Sequence, residues 1–125
     1  MAAQAAVTFN TIVYSPNGVT GNVAVWANRS SSFGTGFTYF KEDFSPSTKG
    51  GQVKMLFSLD VPIVAATDTG FVAAGTVLRR STVQLSCWLA ADSTSAERTD
   101  VYNRLKDLVL SAPVSNGVQN LDPTY

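Results

Sequence analysis

Arg80, Thr82, Gln84, Ser86 and Trp88 occupy every second position of "RRSTVQLSCW", and Ser81, Val83, Leu85 and Cys87 fill the positions between them. Successive side chains of an extended strand point to opposite faces, so one face carries polar groups and the other mostly apolar ones. The stretch "QVKMLFSLDV" repeats the arrangement: Val53, Met55, Phe57, Leu59 and Val61 are apolar, while Gln52, Lys54, Ser58 and Asp60 share the even face with Leu56. If the two strands pair across the loop between them, Lys54, Ser58, Arg80, Thr82 and Gln84 join into one surface. Tyr39 and Lys41 of "FTYFKEDF" extend it with an aromatic ring and a cation. Such a mixture suits phosphate contact and base stacking. The plainer reading is a solvated sheet face, which antiparallel sheets commonly have, and pattern alone favours it.

Other chemistry finds little support. Histidine is absent, which removes the usual general base, a common metal ligand and the Ser-His and Cys-His nucleophile pairs. The single cysteine, Cys87, builds neither a zinc site nor an intrachain disulfide, and its place on the apolar face favours packing. Asp43, Asp60, Asp68 and Asp92 show no calcium-loop spacing. "TGFVAAGT" lacks the Gly-Lys-Ser/Thr ending of a phosphate loop and "STKGG" lacks its earlier glycine, so both read as turns. With a formal net charge of zero and no basic run, any nucleic-acid contact must rest on placed residues rather than on a charged tail. No enzyme and no cofactor are expected.

The elements that position these residues follow from composition. A chain of 125 residues, 45% hydrophobic and 14% charged, suits one globular domain spanning residues 1–125. Segments 7–14, 22–27, 37–44, 52–61 and 76–90 are rich in β-branched and aromatic residues and read as five strands. The separators "SPNGVTG", "NRSSSFGTG", "SPSTKGG" and "AATDTGFVAAGT" supply turn residues, and their shortness favours antiparallel neighbours. "NRS" at Asn28–Ser30 fits a glycosylation pattern but reads as a polar loop.

After Ala91 the period becomes helical: Val101, Tyr102, Leu105, Leu108 and Val109 share a face. "TSAE" predicts a capping box between Thr94 and Glu97, and Pro113 marks the helix end. A short second helix in "PVSNGVQNLDPTY" is weakened by Asn116 and Gly117 and stopped by Pro123. Strands followed by helices predict an α+β domain with an antiparallel sheet. The start "MAAQAAVTF" has no signal-peptide or membrane-span pattern, so a cytosolic protein is expected.

The order of these features resembles the coat proteins of single-stranded RNA bacteriophages, the leviviruses. The matching residues are "MLFSLDVPIVA", the loop "ATDTGFVAAGT", the long strand running into "AADSTSAER", the helix, and the terminal "NLDPTY". The resemblance covers residues 50 to 125, and it rests on the order and spacing of motifs that are individually weak. It implies an N-terminal hairpin, a five-stranded antiparallel sheet and C-terminal helices that interlock with those of a second subunit. Ahead of residue 50 this chain is shorter than better-known members by about one strand, leaving open whether the hairpin or a sheet strand is abbreviated.

The resemblance also implies an obligate homodimer, assembly into an icosahedral T=3 shell in the cytoplasm of a bacterial host, and residence in the virion. Ala65, Thr67, Gly70, Ala73 and Gly75 fall in the loop that the family bends differently at its vertices, although the proline often found there is missing. The sheet face would contact the RNA genome and bind an operator hairpin, repressing translation and marking the genome for packaging. By register, Thr82 and Gln84 fall where the family stacks on or reads bases, with Lys54, Ser58 and Arg80 nearby and Tyr39 and Lys41 as extensions. The aromatic often found at the position of Thr82 is absent, and Leu56 replaces a usually polar residue. Two rivals remain: a dimeric RNA-binding regulator that never forms shells, and an enzyme with an assembled carboxylate site.

Overall fold

The computed structural model describes residues 3–46 and 51–123; most of the "STKGG" turn and the last two residues of "NLDPTY" lie outside the described residues. Two compact units form, Met1–Trp88 and Leu89–Tyr125. The first is an antiparallel sheet with strand order β1-β2-β3-β4-β5-β6. The strands are Val7–Phe9, Ile12–Thr20, Val23–Asn28, Thr38–Ser45, Gln52–Val64 and Val77–Ala90, the last running just past the unit boundary.

The segment read as one strand over 7–14 is a hairpin. Asn10 and Thr11 both take positive φ, 48° and 65°, the pair of values that a two-residue primed turn needs to match the twist of its strands. The expected separator "SPNGVTG" lies almost wholly inside β2, where a break in register between Pro16 and Val19 accommodates the proline and Gly18. The turn that follows is only Gly21-Asn22, with Gly21 at φ 60°. Strand β2 therefore serves twice. Its first residues pair with β1 and its later ones with β3, so the expected hairpin and five-stranded sheet share β2 and are built from six strands.

Aromatic packing shows where the hairpin goes. In a flat sheet β1 and β4 would lie three strand spacings apart, about 14 Å. The Phe9 and Phe40 rings are instead 5.2 Å apart, edge to face, so the hairpin folds over the sheet's apolar side. Trp26 lies 5.0 Å from Phe40, and Phe57 stacks on Phe40 at 6.3 Å. The Trp26 indole N–H donates to the Ala5 carbonyl at 2.8 Å, satisfying its polar atom as it becomes buried. Asn28 closes β3 by donating to the Val13 carbonyl at 2.8 Å and turning its side-chain oxygen toward Ser30.

The core of this unit is small. Among the described residues, Tyr14, Trp26, Ala27 and Ala65 are its buried hydrophobic residues, while Phe44 on β4 and Val83 on β6 are 42% and 57% exposed.

The second unit holds α1, Ser95–Leu110, and α2, Ala112–Asn120. The predicted capping box is present: the Glu97 amide donates to Thr94 Oγ1 at 3.2 Å, and the Thr94 amide donates to Glu97 Oε2 at 2.8 Å. Arg104 pairs with Asp100 one turn earlier at 2.9 Å. Ser111, extended at φ −71° and ψ 152°, ends one helix and starts the next. The second helix forms despite Gly117, because Pro113 sits in its first turn, where no amide donor is needed. Neither helix contains a buried residue.

Candidate nucleic-acid interface

The register decides which side chains share a face. Across β4 and β5 the Cα partners are Tyr39 with Asp60, Lys41 with Ser58, Asp43 with Leu56, and Ser45 with Lys54. Strand β6 joins the free side of β5, and the connection is closed where the Ala65 amide donates to Thr76 at 2.9 Å and the Gly75 amide donates to Ala65 at 2.9 Å. Tyr39, Lys41, Ser58, Asp60, Arg80, Thr82 and Gln84 then line one open depression. Phe9, Phe40, Phe57, Leu59, Val83 and Leu85 gather around a second, apolar one. The alternation read in the two long strands is thus the division between two faces.

Six of the seven residues expected to form an RNA surface meet in the first depression. Lys54 does not. It lies further along β5, with its ammonium 5.5 Å from the centre of the Trp88 ring. That contact places Trp88 on the polar side and gives surroundings to a residue whose role the sequence leaves unassigned.

Asp60 joins the depression although no role was expected of it. Arg80 Nε lies 3.6 Å from Asp60 Oδ1, and the Thr82 hydroxyl donates to the same oxygen at 3.4 Å. Its even position beside Ser58 was the available signal, but a carboxylate repels phosphate and so does not by itself point to an RNA contact.

Two cations, a phenol, two hydroxyls and an amide in a shallow, open site can bind a polyanion and hydrogen-bond flat heterocycles. Asp60 adds an acceptor for amino groups and lowers the local positive charge.

The loop carrying Ala65, Thr67, Gly70, Ala73 and Gly75 divides into a tied stem and an open tip. Ala65 is buried, and Gly75, at φ 82°, packs so closely on Phe33 that a Cβ would stand 2.9 Å from the ring. The Thr35 hydroxyl donates to the Gly75 carbonyl at 2.6 Å, and Asp68 Oδ1 accepts the Ala74 amide at 2.6 Å. At the tip, Thr69 Oγ1 accepts the Val72 amide at 3.0 Å, Gly70 has open space around it, and Phe71 projects fully exposed.

Comparison with known proteins identifies the family and the fold. The chain belongs to the levivirus coat protein family, matched over residues 2–125. It is therefore a structural capsid protein, not an enzyme. Among solved structures it resembles the virus-like particle of Beihai levi-like virus 21, with a TM-score of 0.86, 25% identity and 99% of both chains covered. The virus-like particle of bacteriophage NT-214 gives 0.83 at 16% identity, covering 99% of this chain and 100% of that one. The bacteriophage GA protein capsid gives 0.76 at 14% identity, covering 91% and 87%. No curated protein sequence gives a significant match.

Proposed function

We propose that this chain pairs with a second copy, that the pairs assemble into a closed icosahedral shell, and that the face lined by Tyr39, Lys41, Ser58, Arg80, Thr82 and Gln84 contacts the enclosed RNA. The observation that carries pairing is the unfinished core: Phe44 and Val83 stand 42% and 57% exposed on the apolar side of the sheet. Exposed apolar area of this kind marks an interaction surface. The helical unit has the same need. Val101, Tyr102, Leu108 and Val109 of α1 are exposed, and a 16-residue helix is marginal in water without a packed face. Strand β6 ends the strand order, and a long unpaired edge is completed by pairing with another chain. Assembly of relatives as virus-like particles supports the shell.

RNA contact is supported by the six residues that converge on one open face with cations and hydrogen-bonding groups together. An operator hairpin bound there would link coat-protein concentration to translational repression and packaging. Ala65 to Gly75 would form the vertex contacts, with adjustment confined to the open tip around Gly70 and Phe71 while the stem keeps its hydrogen bonds.

The test is to express the chain alone and examine it by gel filtration and electron microscopy, then extract any enclosed nucleic acid. Particles containing RNA are expected. A stable monomer would overturn the reading, and a plain dimer that binds RNA but forms no particle would favour a regulator instead.

A further inference from the structure

We infer that Trp88 is a base-stacking platform for single-stranded RNA, separate from the central depression and paired with Lys54 as its phosphate contact. This rests on the reading of the polar face as an RNA surface and adds a second point of attachment to it. Trp88 is 56% exposed. An indole left to water needs a reason, because it is among the largest apolar surfaces a side chain offers. Its position on β6 is even, like Arg80, Thr82 and Gln84, and the Lys54 ammonium, 5.5 Å from its ring centre, puts it on the polar side by contact as well as by parity.

The surroundings suit a nucleotide. The ammonium is attracted to the indole ring and held beside it, while more than half of Trp88 stays open. A base stacking on the ring brings its phosphate near Lys54, the combination of aromatic platform and cation that binds single strands without reading their sequence. Trp88 is four residues from Gln84 along an extended strand, about 13 Å, so the platform engages nucleotides beyond those in the depression.

The chain carries a direct readout. It has two tryptophans, and Trp26 is 7% exposed with its indole N–H bonded to Ala5, so RNA that stacks on an exposed indole quenches Trp88. Unassembled, RNA-free full-length protein is titrated with a labelled 20-nucleotide single-stranded RNA of mixed sequence, following tryptophan emission and RNA anisotropy together.

The expected result is quenching that saturates with the binding isotherm. Trp88→Phe abolishes the quench with little loss of affinity, and Trp88→Ala weakens binding about 5- to 100-fold. The salt dependence stays unchanged in both, because no cation is removed.

Bound RNA without quenching, or undiminished affinity in Trp88→Ala, overturns the inference; the former is also the result if a second copy of the chain covers the indole. Arg80→Ala and Lys41→Ala tell the two failures apart. If they weaken binding while Trp88→Ala does not, only the platform is lost. If all three bind like the parent, the RNA reading of the whole face falls with it.

Discussion

Arg80 Nε lies 3.6 Å from Asp60 Oδ1 on the floor of the polar depression, with the Thr82 hydroxyl donating to the same carboxylate oxygen. A cation suited to phosphate is thereby held against an anion that repels it. The side chains of the pair are 56% and 33% exposed, so the contact contributes little to folding and its consequence lies in binding.

Asp60→Asn is expected to leave the melting temperature nearly unchanged, within about 0.5 kcal/mol of stability. It removes one negative charge from the face and frees Arg80 for phosphate. Affinity for single-stranded RNA should rise several-fold at low salt, with the log-log salt slope steeper by about 0.7. Filter binding at four or five salt concentrations measures both. Weaker binding would instead identify Asp60 as an acceptor for base amino groups.

Val83→Asp tests the apolar face. If Val83 met only water, as its 57% exposure in the single chain would allow, the change would cost no more than about 0.5 kcal/mol. Pairing through this face predicts loss of dimers in gel filtration and of particles in electron micrographs. Dimers of unchanged stability would exclude the face from the interface.

Gly75→Ala and Gly70→Ala separate the stem of the loop from its tip. Gly75 sits at φ 82° against Phe33, so alanine there should cost about 1–2 kcal/mol or more. Gly70 has open space and no positive φ, and alanine should change stability by less than about 0.5 kcal/mol. Thermal melts check stability. If adjustment at the tip serves the vertices, Gly70→Ala should alter particle size or yield while leaving the melting temperature alone.

Thr94→Ala removes the side-chain acceptor for the Glu97 amide and breaks the reciprocal cap at the start of α1. A loss of about 1 kcal/mol is expected in denaturant unfolding. A loss below about 0.3 kcal/mol would show that packing alone holds the first turn.

Much of this molecule was legible in its residues, for identifiable reasons. Alternation in Gln52–Val64 and Val77–Ala90 is a local property, so the two faces of the sheet could be read directly, as could the Thr94–Glu97 cap. The turn of the N-terminal hairpin was not, because Asn10 and Thr11 interrupt the strand signal less than Pro16, Asn17 and Gly18 do. The weaker-looking pair makes the turn, and the stronger-looking triplet lies within β2. Turn residues tolerate unusual backbone without requiring a reversal, and the decision falls to pairing with β3.

The sequence by itself determined the composition of each face: which side chains are polar, which apolar, and that no histidine was available for catalysis. Only the tertiary structure decided their company. It placed Asp60 against Arg80, moved Lys54 out of the depression to Trp88, and folded Phe9 onto Phe40. The physical reason is that alternation along a strand fixes direction but not neighbours. Neighbours follow from cross-strand register, which is set by turns and by packing between residues far apart in the chain.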